Sequence, residues 1–558
     1  MVARPHRRGH DPACTLRHRR PRLRPVHEDE RHGRIPRGVR RGAGGRDPRR
    51  TGQGAGRVTL GLGSDSGDDG EELPGGGGGE LPQGWARATL AELCDINPRA
   101  FDDEPGDDDF ISQVPMASVE AETGRIDASN HVRYGDLKKK SLTRFQENDV
   151  LFAKITPCME NGKIAVARGL LDGRALGSTE FHVLRSCGAA LPEYLMHYLL
   201  QPDVRTNAEQ NMSGAVGQRR VPRPYLESLS VPVPPLAEQR RIVGEVEQQI
   251  AHIEAGEAAA HAALSSATSL AEQITTRGSR GCLKEVELAP APLEKADIDD
   301  GTIPDLPADW SWARLGEVAA VVGGVTKDSK RQGDPNYVEV PYLRVANVQR
   351  GQLVLDNVTT IRVPPEKALS LRLQPGDILL NEGGDRDKLG RGWVWEGQVE
   401  NCIHQNHVFR ARVIGQRIHP KLLAWHANGF GKAWCDRNGT QSVNLASISL
   451  RKIKLLPVPI PPQEIQEDLV KTIELHLEGV ATARVTAEAA LTQARDLRAA
   501  LLNAAFTGTL VPQNPADEPA STLLDRIRAA RATAQAAPRK RTPRKPRTAP
   551  PGQEELPQ

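Results

Sequence analysis

The sequence predicts an α+β protein in which two tandem globular units are separated by two long helices. A stretch that begins at Pro234 occurs a second time 227 positions later. In both copies apolar residues recur at steps of four, four and three, which places them on one helical face. Short β-rich runs alternate with turns ahead of each copy. The repeated apolar positions are Ile242, Val246, Ile250 and Ile253, and then Leu469, Ile473, Leu477 and Val480.

Residues 1–57 differ in composition from the rest of the chain. They hold 17 Arg, no Lys and no aromatic residue, and with five acidic residues their net charge is +12. Such a segment cannot bury enough surface to fold. A basic DNA-binding arm is one interpretation. We favour another, in which translated upstream sequence precedes a true start, which is Val58 if its codon is GTG. Residues 61–80 are predicted to be a flexible, acidic and Gly-rich lead, so residues 1–80 together form a disordered or misassigned extension.

The first globular unit spans residues 81–235 and the second spans residues 306–462. They begin alike, with LPQGWARATLAEL and LPADWSWARLGEV, and we expect the matching Trp85 and Trp310 to pack in the core. Each unit then shows three strand-like runs followed by a short helix. The runs begin at Asp149, Lys163 and Glu180 before a helix at 192–200, and at Asp377, Gly392 and His407 before a helix at about 420–427.

The long helices follow two prolines each, Pro234-Pro235 and Pro461-Pro462, whose extended backbone suits the residues before a helix. Both helices continue into alanine-rich stretches, residues 255–271 and 481–505. Small residues permit close approach, and one isolated helix cannot bury its own apolar stripe, so we predict that the two helices pair. The helical segments are 236–284 and 463–510, with a linker at 285–305. A C-terminal segment at 511–558 has a short helix within 514–532 and a basic, disordered tail.

Composition limits the class of protein. A chain of 558 residues holds two to four domains. It has no run of 18 apolar residues to cross a membrane, and its N-terminus lacks the apolar core of a secretion signal. The seven cysteines are scattered without a CxxC pair, which fits a reducing cytoplasm. The net charge is +3, so any nucleic-acid surface must be local.

No catalytic motif emerges from the sequence. It has no GxxxxGK[ST] string for nucleotide phosphates, no GxGxxG before a helix, and no FxGxG or NPPY-like pair for methyl transfer to a base. Two Asp-x-Lys strings, 136–138 and 328–330, are expected by chance in a chain of this length. His182, His404 and His407 lie beside strand-like runs, where packing or hydrogen bonding is a commoner role than metal binding. We therefore predict a protein that is not an enzyme and has no metal site.

Polar loops in both units point to DNA. They mix Arg and Lys, which suit guanine edges and phosphates, with Gln and Asn, which suit adenine edges, and with Gly, which lets the backbone approach closely. An ordinary solvated loop is the alternative for any one residue, but similar loops at matching places in two copies favour a function. The candidate DNA-binding residues are Lys154, Gln218, Arg219 and Arg220 in the first unit, and Arg344, Arg386, Lys388, Arg391, Gln405 and Asn444 in the second.

Several strings together resemble the specificity subunit of type I restriction-modification systems. They are the two PP-x3-Q helix starts, LFAKITPCMENGKIA, STEFHVLR and SGAVGQRRVP in the first unit, NEGGDRDKLGRGWVW with HQNHVFR in the second, and AAFTGTLVPQNPADEPASTLLDRIRAAR near the end. The resemblance covers residues 81–532. One departure is ITTRGSRGCLKEVEL at the end of the first helix, a degraded version of LLNAAFTGTLVPQN, so we expect altered contacts there.

The resemblance implies a division of labour. Each unit would be a target recognition domain that reads one half of an asymmetric, bipartite site in double-stranded DNA. The two helices would pair as an antiparallel coiled coil, and about 40 helical residues span roughly 60 Å, an upper bound on the order of 17 base pairs. Two modification subunits would bind S-adenosylmethionine and methylate adenine, and restriction subunits, which combine motor and nuclease, would use ATP and Mg²⁺. This chain would carry no cofactor and no catalytic group.

Two other functions stay open on the sequence alone. One is an adaptor whose two units bind protein instead of DNA, and the other is a DNA-binding regulator that acts by itself. Dependence on a modification partner for sequence-specific binding separates these from a specificity subunit.

Overall fold

A computed structural model describes residues 80–98, 101, 103–215, 217–330, 332–441 and 445–536. The N-terminal extension up to residue 79, the tail from residue 537 and the candidate Asn444 lie outside these residues. What the sequence predicts for them stays a prediction.

The first globular unit is a set of short strands with short helices between them. The strands are β1 (Ala86–Thr89), β2 (Cys94–Ile96), β3 (Phe110–Val114), β4 (His131–Arg133), β5 (Thr143–Gln146), β6 (Val150–Ala153), β7 (Ile164–Val166), β8 (Arg174–Gly177), β9 (Phe181–Ser186) and β10 (Ser230–Val233). Strands in the order β2-β9-β6-β7 form one sheet and strands in the order β4-β3-β8-β5 form another, while β1 pairs with β10 where the chain leaves the unit. The helices are α1 (Leu90–Leu93), α2 (Tyr134–Leu137), α3 (Pro192–Leu200), α4 (Pro202–Gln210) and α5 (Arg223–Ser228).

Helix α6 (Leu236–Gly278) follows and leads to the second unit. The strands there are β11 (Leu288–Ala289), β12 (Leu306–Pro307), β13 (Ser311–Arg314), β14 (Ala319–Val322), β15 (Val338–Leu343), β16 (Val348–Gln349), β17 (Gln352–Leu353), β18 (Thr359–Val363), β19 (Ile378–Asn381), β20 (Gly383–Gly384), β21 (Gly392–Val394), β22 (Ile403–His404), β23 (Val408–Val413), β24 (Thr440–Gln441), β25 (Ala446–Ser447) and β26 (Pro457–Ile460). The helices are α7 (Leu315–Val318), α8 (Pro365–Leu371), α9 (Pro420–Asn428), α10 (Phe430–Asn438) and α11 (Leu450–Ile453). Helices α12 (Gln463–Thr507) and α13 (Ala520–Ala536) complete the described chain.

The second unit repeats the topology of the first. Its order β14-β23-β19-β21 matches β2-β9-β6-β7, its order β18-β15-β22 matches β4-β3-β8, and β13 pairs with β26 as β1 does with β10. A buried aspartate stands immediately before the central strand of each unit, Asp149 before β6 and Asp377 before β19. Asp149 accepts two hydrogen bonds from Arg185, and Asp377 accepts two from Arg412, all at 2.7 to 2.8 Å. Because these carboxylates are paired and buried, they belong to the scaffold.

The two long helices run antiparallel to each other. The start of α6, with Ile242 and Val246, shares a hydrophobic core with Phe506 at the end of α12. The end of α6, with Ile274, shares another core with Ile473 near the start of α12. Because each core also includes one globular unit, each end of the helix pair is fixed to a different unit.

The apolar stripe singled out in the sequence lies on the inner faces of these helices. Ile242, Val246 and Ile253 are buried in α6, and Ile473 and Val480 are buried in α12. Ile250, Leu469 and Leu477 are partly buried against the same cores. The alanine-rich stretches continue the buried face, with Ala260 and Ala267 buried in α6 and Ala487 buried in α12.

The glutamine of each PP-x3-Q string anchors a long helix to its unit. Gln239 Nε2 donates to Ala189 O and Pro234 O, and its Oε1 accepts from Leu191 N just before α3. Gln466 makes the corresponding three bonds, from Nε2 to Arg417 O and Pro461 O and from His419 N to Oε1. Both glutamine side chains are buried, so the repeated string has a structural reason.

Candidate nucleic-acid interface

Each unit has a polar edge where its central strand ends. In the first unit this edge consists of the loop 154–163 after β6 and the hairpin formed by residues 213–215 and 217–220, in which Ser213 pairs with Arg220. In the second it consists of the loop 382–391 after β19 and the hairpin formed by the paired strands β24 and β25. The loops are of equal length, and both begin with a residue whose carbonyl oxygen accepts a 2.8 Å bond from the chain that follows the hairpin. We call the loop and hairpin of the first unit the first polar edge, and the loop and hairpin of the second unit the second polar edge.

The first polar edge brings together all four candidates of that unit. Lys154 Nζ donates to Thr179 O at 2.7 Å, beside Glu180. Arg220 forms a two-pronged ion pair with Glu180, with Nε to Oε2 at 2.9 Å and Nη2 to Oε1 at 2.8 Å. This hydrogen bonding to Arg220 lowers the pKa of the Glu180 carboxyl despite its partial burial.

The hairpin of the first polar edge carries the other two candidates. Thr156 N donates to Arg219 O at 3.0 Å, which joins the hairpin to the loop. Arg219 Nη2 lies 3.3 Å from Glu209 Oε1 on α4, and its side chain is about a third exposed. Gln218 is exposed near the hairpin tip. Carboxylates therefore hold the partly exposed guanidinium groups of Arg219 and Arg220, and a backbone carbonyl holds the ammonium group of Lys154.

The second polar edge holds Arg386 and Lys388 on one short 3₁₀ turn, Arg386–Lys388. Arg386 is 61% exposed, donates to Gln441 Oε1 at 3.4 Å across to the hairpin, and lies near Asp436. Lys388 pairs with Asp385, and the pKa of the Asp385 carboxyl is lowered by this hydrogen bond. The two basic residues thus share one exposed corner of the second edge.

The other candidates in the second unit are more enclosed. Arg344 begins a 3₁₀ turn, Val345–Asn347, whose Val345 O accepts a bond from Asn381 at the end of β19. Arg391 ends the loop and is half-buried, and burial lowers the pKa of its guanidinium. Gln405 is half-buried at the end of β22, next to the turn that leads into His407.

Sequence reasoning did not select several residues that the fold adds to these edges. Glu382 Oε2 lies 2.7 Å from His407 Nδ1, and Glu180 holds Arg220. Arg350 donates to Asp387 O in the second loop and to Asn428 O at the end of α9, which ties the loop to the scaffold. Their partners lie 25 to 78 positions away in sequence, so local patterns gave no signal for them.

Two of the three histidines beside the strands, His182 and His404, serve the scaffold. His182 is buried, with Nε2 at 2.9 Å from Val221 O, and burial lowers its pKa. His404 Nδ1 lies 2.6 Å from Val408 O, and burial lowers its pKa to about 4. Among the described residues no cluster of three His, Cys, Asp or Glu side chains could hold a metal ion. Within the same part of the chain, no helix combines the length and apolar composition needed to span a membrane.

Comparisons with known proteins point to one family. A family model described as the type I restriction modification DNA specificity domain matches residues 82–260. The EcoEI type I restriction enzyme specificity subunit of Escherichia coli is 26% identical over 465 residues, which cover 71% of this chain and 78% of that protein. The StySPI specificity subunit of Salmonella potsdam is 24% identical over 480 residues, covering 81% and 97% respectively.

A solved structure shows the same fold. It comes from work on the complex assembly and conformational transition of the type I R-M system, and it aligns with 77% of this chain and 100% of its own with a TM-score of 0.60 at 22% identity. The mixed helix and strand architecture described above is therefore shared with a structure from a type I system.

Proposed function

Because the chain belongs to the family of type I restriction-modification specificity subunits, we propose that its two globular units are target recognition domains that read the two halves of an asymmetric, bipartite DNA site. The observation that carries this proposal is the pair of polar edges. They have the same backbone frame and loops of the same length, yet they present different side chains. Matched frames with different side chains suit two half-sites of different sequence.

The basic and amide side chains of the edges supply the contacts. We assign to DNA the residues Lys154, Gln218, Arg219 and Arg220 of the first unit, and Arg344, Arg386, Lys388, Arg391, Gln405 and Asn444 of the second. In the structure, carboxylates hold Arg219, Arg220, Arg386 and Lys388. DNA phosphates or base edges would replace those carboxylates, so association involves an exchange of partners and weakens as salt rises.

The helix pair sets the distance between the half-sites. We propose that the stripe of Ile242, Val246, Ile250, Ile253, Leu469, Ile473, Leu477 and Val480 holds α6 and α12 as an antiparallel coiled coil. Helices of 43 and 45 residues are each roughly 65 Å long at ~1.5 Å per residue. A separation of this order leaves an unread spacer of several base pairs between the two halves.

Catalysis would belong to partner subunits. Two modification subunits would bring S-adenosylmethionine and methylate adenine, and restriction subunits would use ATP and Mg²⁺. The present chain would direct both activities to one DNA sequence without supplying a catalytic group of its own.

A genome-wide map of methylated adenine tests this function. Cells would carry this chain with a type I modification subunit, and a matched strain would lack the chain. We expect a split, asymmetric motif that disappears in the strain without the chain. A map that is the same in both strains would contradict the proposal and favour an adaptor that binds protein, whereas sequence-specific binding without any modification subunit would favour a regulator that acts alone.

A further inference from the structure

The two polar edges carry opposite charges at one equivalent backbone position. Lys154 O accepts a hydrogen bond from Val221 N, and Glu382 O accepts one from Ile448 N, each at 2.8 Å. Both residues directly follow the central strand of their sheet, β6 or β19. Lys154 and Glu382 are therefore structural equivalents, and one edge presents an ammonium group where the other presents a carboxylate.

The neighbours of this position differ as well. The backbone N–H of Lys154 donates to Glu180 O, and that of Glu382 donates to His407 O, both at 2.9 Å. Glu180 and His407 are thus equivalent too. In the first edge the guanidinium of Arg220 neutralises the acid, whereas Ser447 takes the place of Arg220 in the second edge, opposite Gly383.

The surroundings of Glu382 leave one of its carboxylate oxygens available to accept a hydrogen bond from a ligand. Its Oε2 lies 2.7 Å from His407 Nδ1, and its side chain is 26% exposed at the mouth of the edge. An imidazole N–H orients one carboxylate oxygen and leaves the other as a hydrogen-bond acceptor. The bidentate guanidinium of the first edge occupies both oxygens of Glu180 instead.

A carboxylate that faces DNA can contribute to the choice of base but not to overall affinity. The phosphates repel it, so it does not add affinity by charge. It accepts a hydrogen bond from the exocyclic amino group of cytosine in the major groove, and it repels the carbonyl oxygens that thymine and guanine present there. A carboxylate in this place therefore acts through discrimination between bases.

We propose that Glu382 is a specificity-determining residue of the second unit that accepts a hydrogen bond from the N4 amino group of a cytosine in its half-site. His407 is a positioning residue that orients the Glu382 carboxylate. This inference rests on the proposed function, because it requires that the second polar edge reads DNA.

Substitution of Glu382 tests the inference in the complex with the modification subunit. We would map methylated adenine for the wild type and for Glu382→Gln, and measure binding to duplexes that carry each of the four base pairs at every position of the second half-site. The amide of Gln suits adenine, so we expect preference for one C·G pair to fall roughly tenfold or to shift toward A·T. The half-site of the first unit should be unchanged, which also reports that the variant is folded.

A matched control removes the same charge from the opposite end of the sheet. Glu396 is exposed after β21, and Glu396→Gln should leave both half-sites unchanged. His407→Ala should weaken discrimination at the same position without a change of preferred base, and His407→Asn, which keeps a donor, should restore part of it. A purely structural role for His407 would lower stability without altering base preference.

Two outcomes separate this inference from the function on which it rests. A wild-type complex without any split motif would overturn both. A wild-type split motif whose second half contains no C·G pair, or one that Glu382→Gln leaves unaltered at every position, would overturn the role of Glu382 alone.

Discussion

Arg220 is the basic side chain of the first polar edge with the most defined geometry. It is held by two hydrogen bonds to Glu180 while its side chain is 42% exposed. An exposed ion pair of this kind contributes little to folding because solvent screens it, whereas a base-reading arginine contributes about 1–3 kcal/mol to binding of the right sequence. We therefore predict that Arg220→Ala weakens the base preference at one position of the first half-site with little loss of folding stability.

Arg526 offers a control for that prediction. Arg526 lies on the C-terminal helix α13, is 60% exposed and pairs with Glu518 just before that helix, so Arg526→Ala removes the same charge away from both polar edges. Binding of the complex to a panel of duplexes measures the effect. A uniform loss of affinity for all sequences would mean that Arg220 contacts phosphate, and no loss would mean that the first polar edge does not face DNA.

His197 predicts how stability depends on pH. Its ring is buried between α3 and the long helices beside a cavity of about 500 Å³. Neither of its ring nitrogens has a hydrogen-bond partner within the described residues. Burial lowers the pKa of the imidazole to about 4, with a smaller opposing effect of Glu193 and a smaller supporting effect of Arg498. As pH falls, the His197 imidazole of the unfolded chain therefore binds a proton near pH 6.5, whereas that of the folded chain stays neutral until about pH 4.

The sign of this effect follows from proton uptake. Above pH 6.5 the histidine is neutral in both states, and as pH falls the unfolded state gains the proton first, so stability decreases. We predict that His197→Phe removes about 1.4 kcal/mol per pH unit of that decrease between about pH 6.5 and 4. Chemical unfolding at several pH values measures it, with exposed His252→Gln as the control. Parallel curves for wild type and His197→Phe would contradict the burial of a neutral imidazole.

Substitution of two glycines within α6 tests how closely this helix packs against α12. A Cβ atom at Gly278 would meet Ile473 Cγ1 of α12 at 2.6 Å, whereas one at Gly256 would meet open space. Alanine is favoured over glycine in a helix by about 1 kcal/mol. We predict that Gly256→Ala raises the midpoint of thermal unfolding and that Gly278→Ala lowers it. Equal shifts in both variants would contradict close packing of α6 on α12.

Strong local patterns made some elements predictable from sequence. Helix α3 occupies residues 192–200 as predicted, because proline at its first position and a continuous apolar run both favour a helix there. The predicted runs at Asp149 and Asp377 became β6 and β19, each beginning one residue later. Apolar side chains that alternate or run without break carry enough signal to locate such strands.

Other elements had no such signal. The short strands β20, β24 and β25 hold Gly, Thr, Gln, Ala and Ser, so no apolar period marks them. They form only because the loop after β19 pairs with a hairpin about 60 residues later. The sequence likewise carried no signal for Glu382. Its role emerges only from comparison with Lys154, which occupies the same backbone position in the first unit.

At the scale of the whole molecule, each long helix ends against the Trp that opens a globular unit. A Cβ at Gly281, just after α6, would meet Trp310 at 2.7 Å, and one at Gly508, just after α12, would meet Trp85 at 3.2 Å. Both glycines have positive φ, which favours glycine and lets the chain turn there. The sequence suggested altered contacts after the first helix, but this packing is kept at both ends.

This arrangement makes the two halves of the chain structurally alike. The segment after α12 returns to the first unit, where Ala520 N donates to Gly84 O and Arg531 pairs with Asp95. The segment after α6 packs on the second unit, where Asp300 pairs with Arg314. Because each unit has its own core and its own polar edge, exchange of one unit should leave the other intact.

An exchange of the second unit is the measurement that tests the account most directly. Residues 306–462 would be replaced by the corresponding unit of another specificity subunit with a different target, and methylated adenine would be mapped in cells that supply the modification subunit. We predict a new motif in which one half is replaced and the other half and the spacer length are retained, because the helix pair is unaltered. A map in which both halves of the motif change together would contradict the claim that each globular unit recognises its own half-site at a distance set by the helix pair.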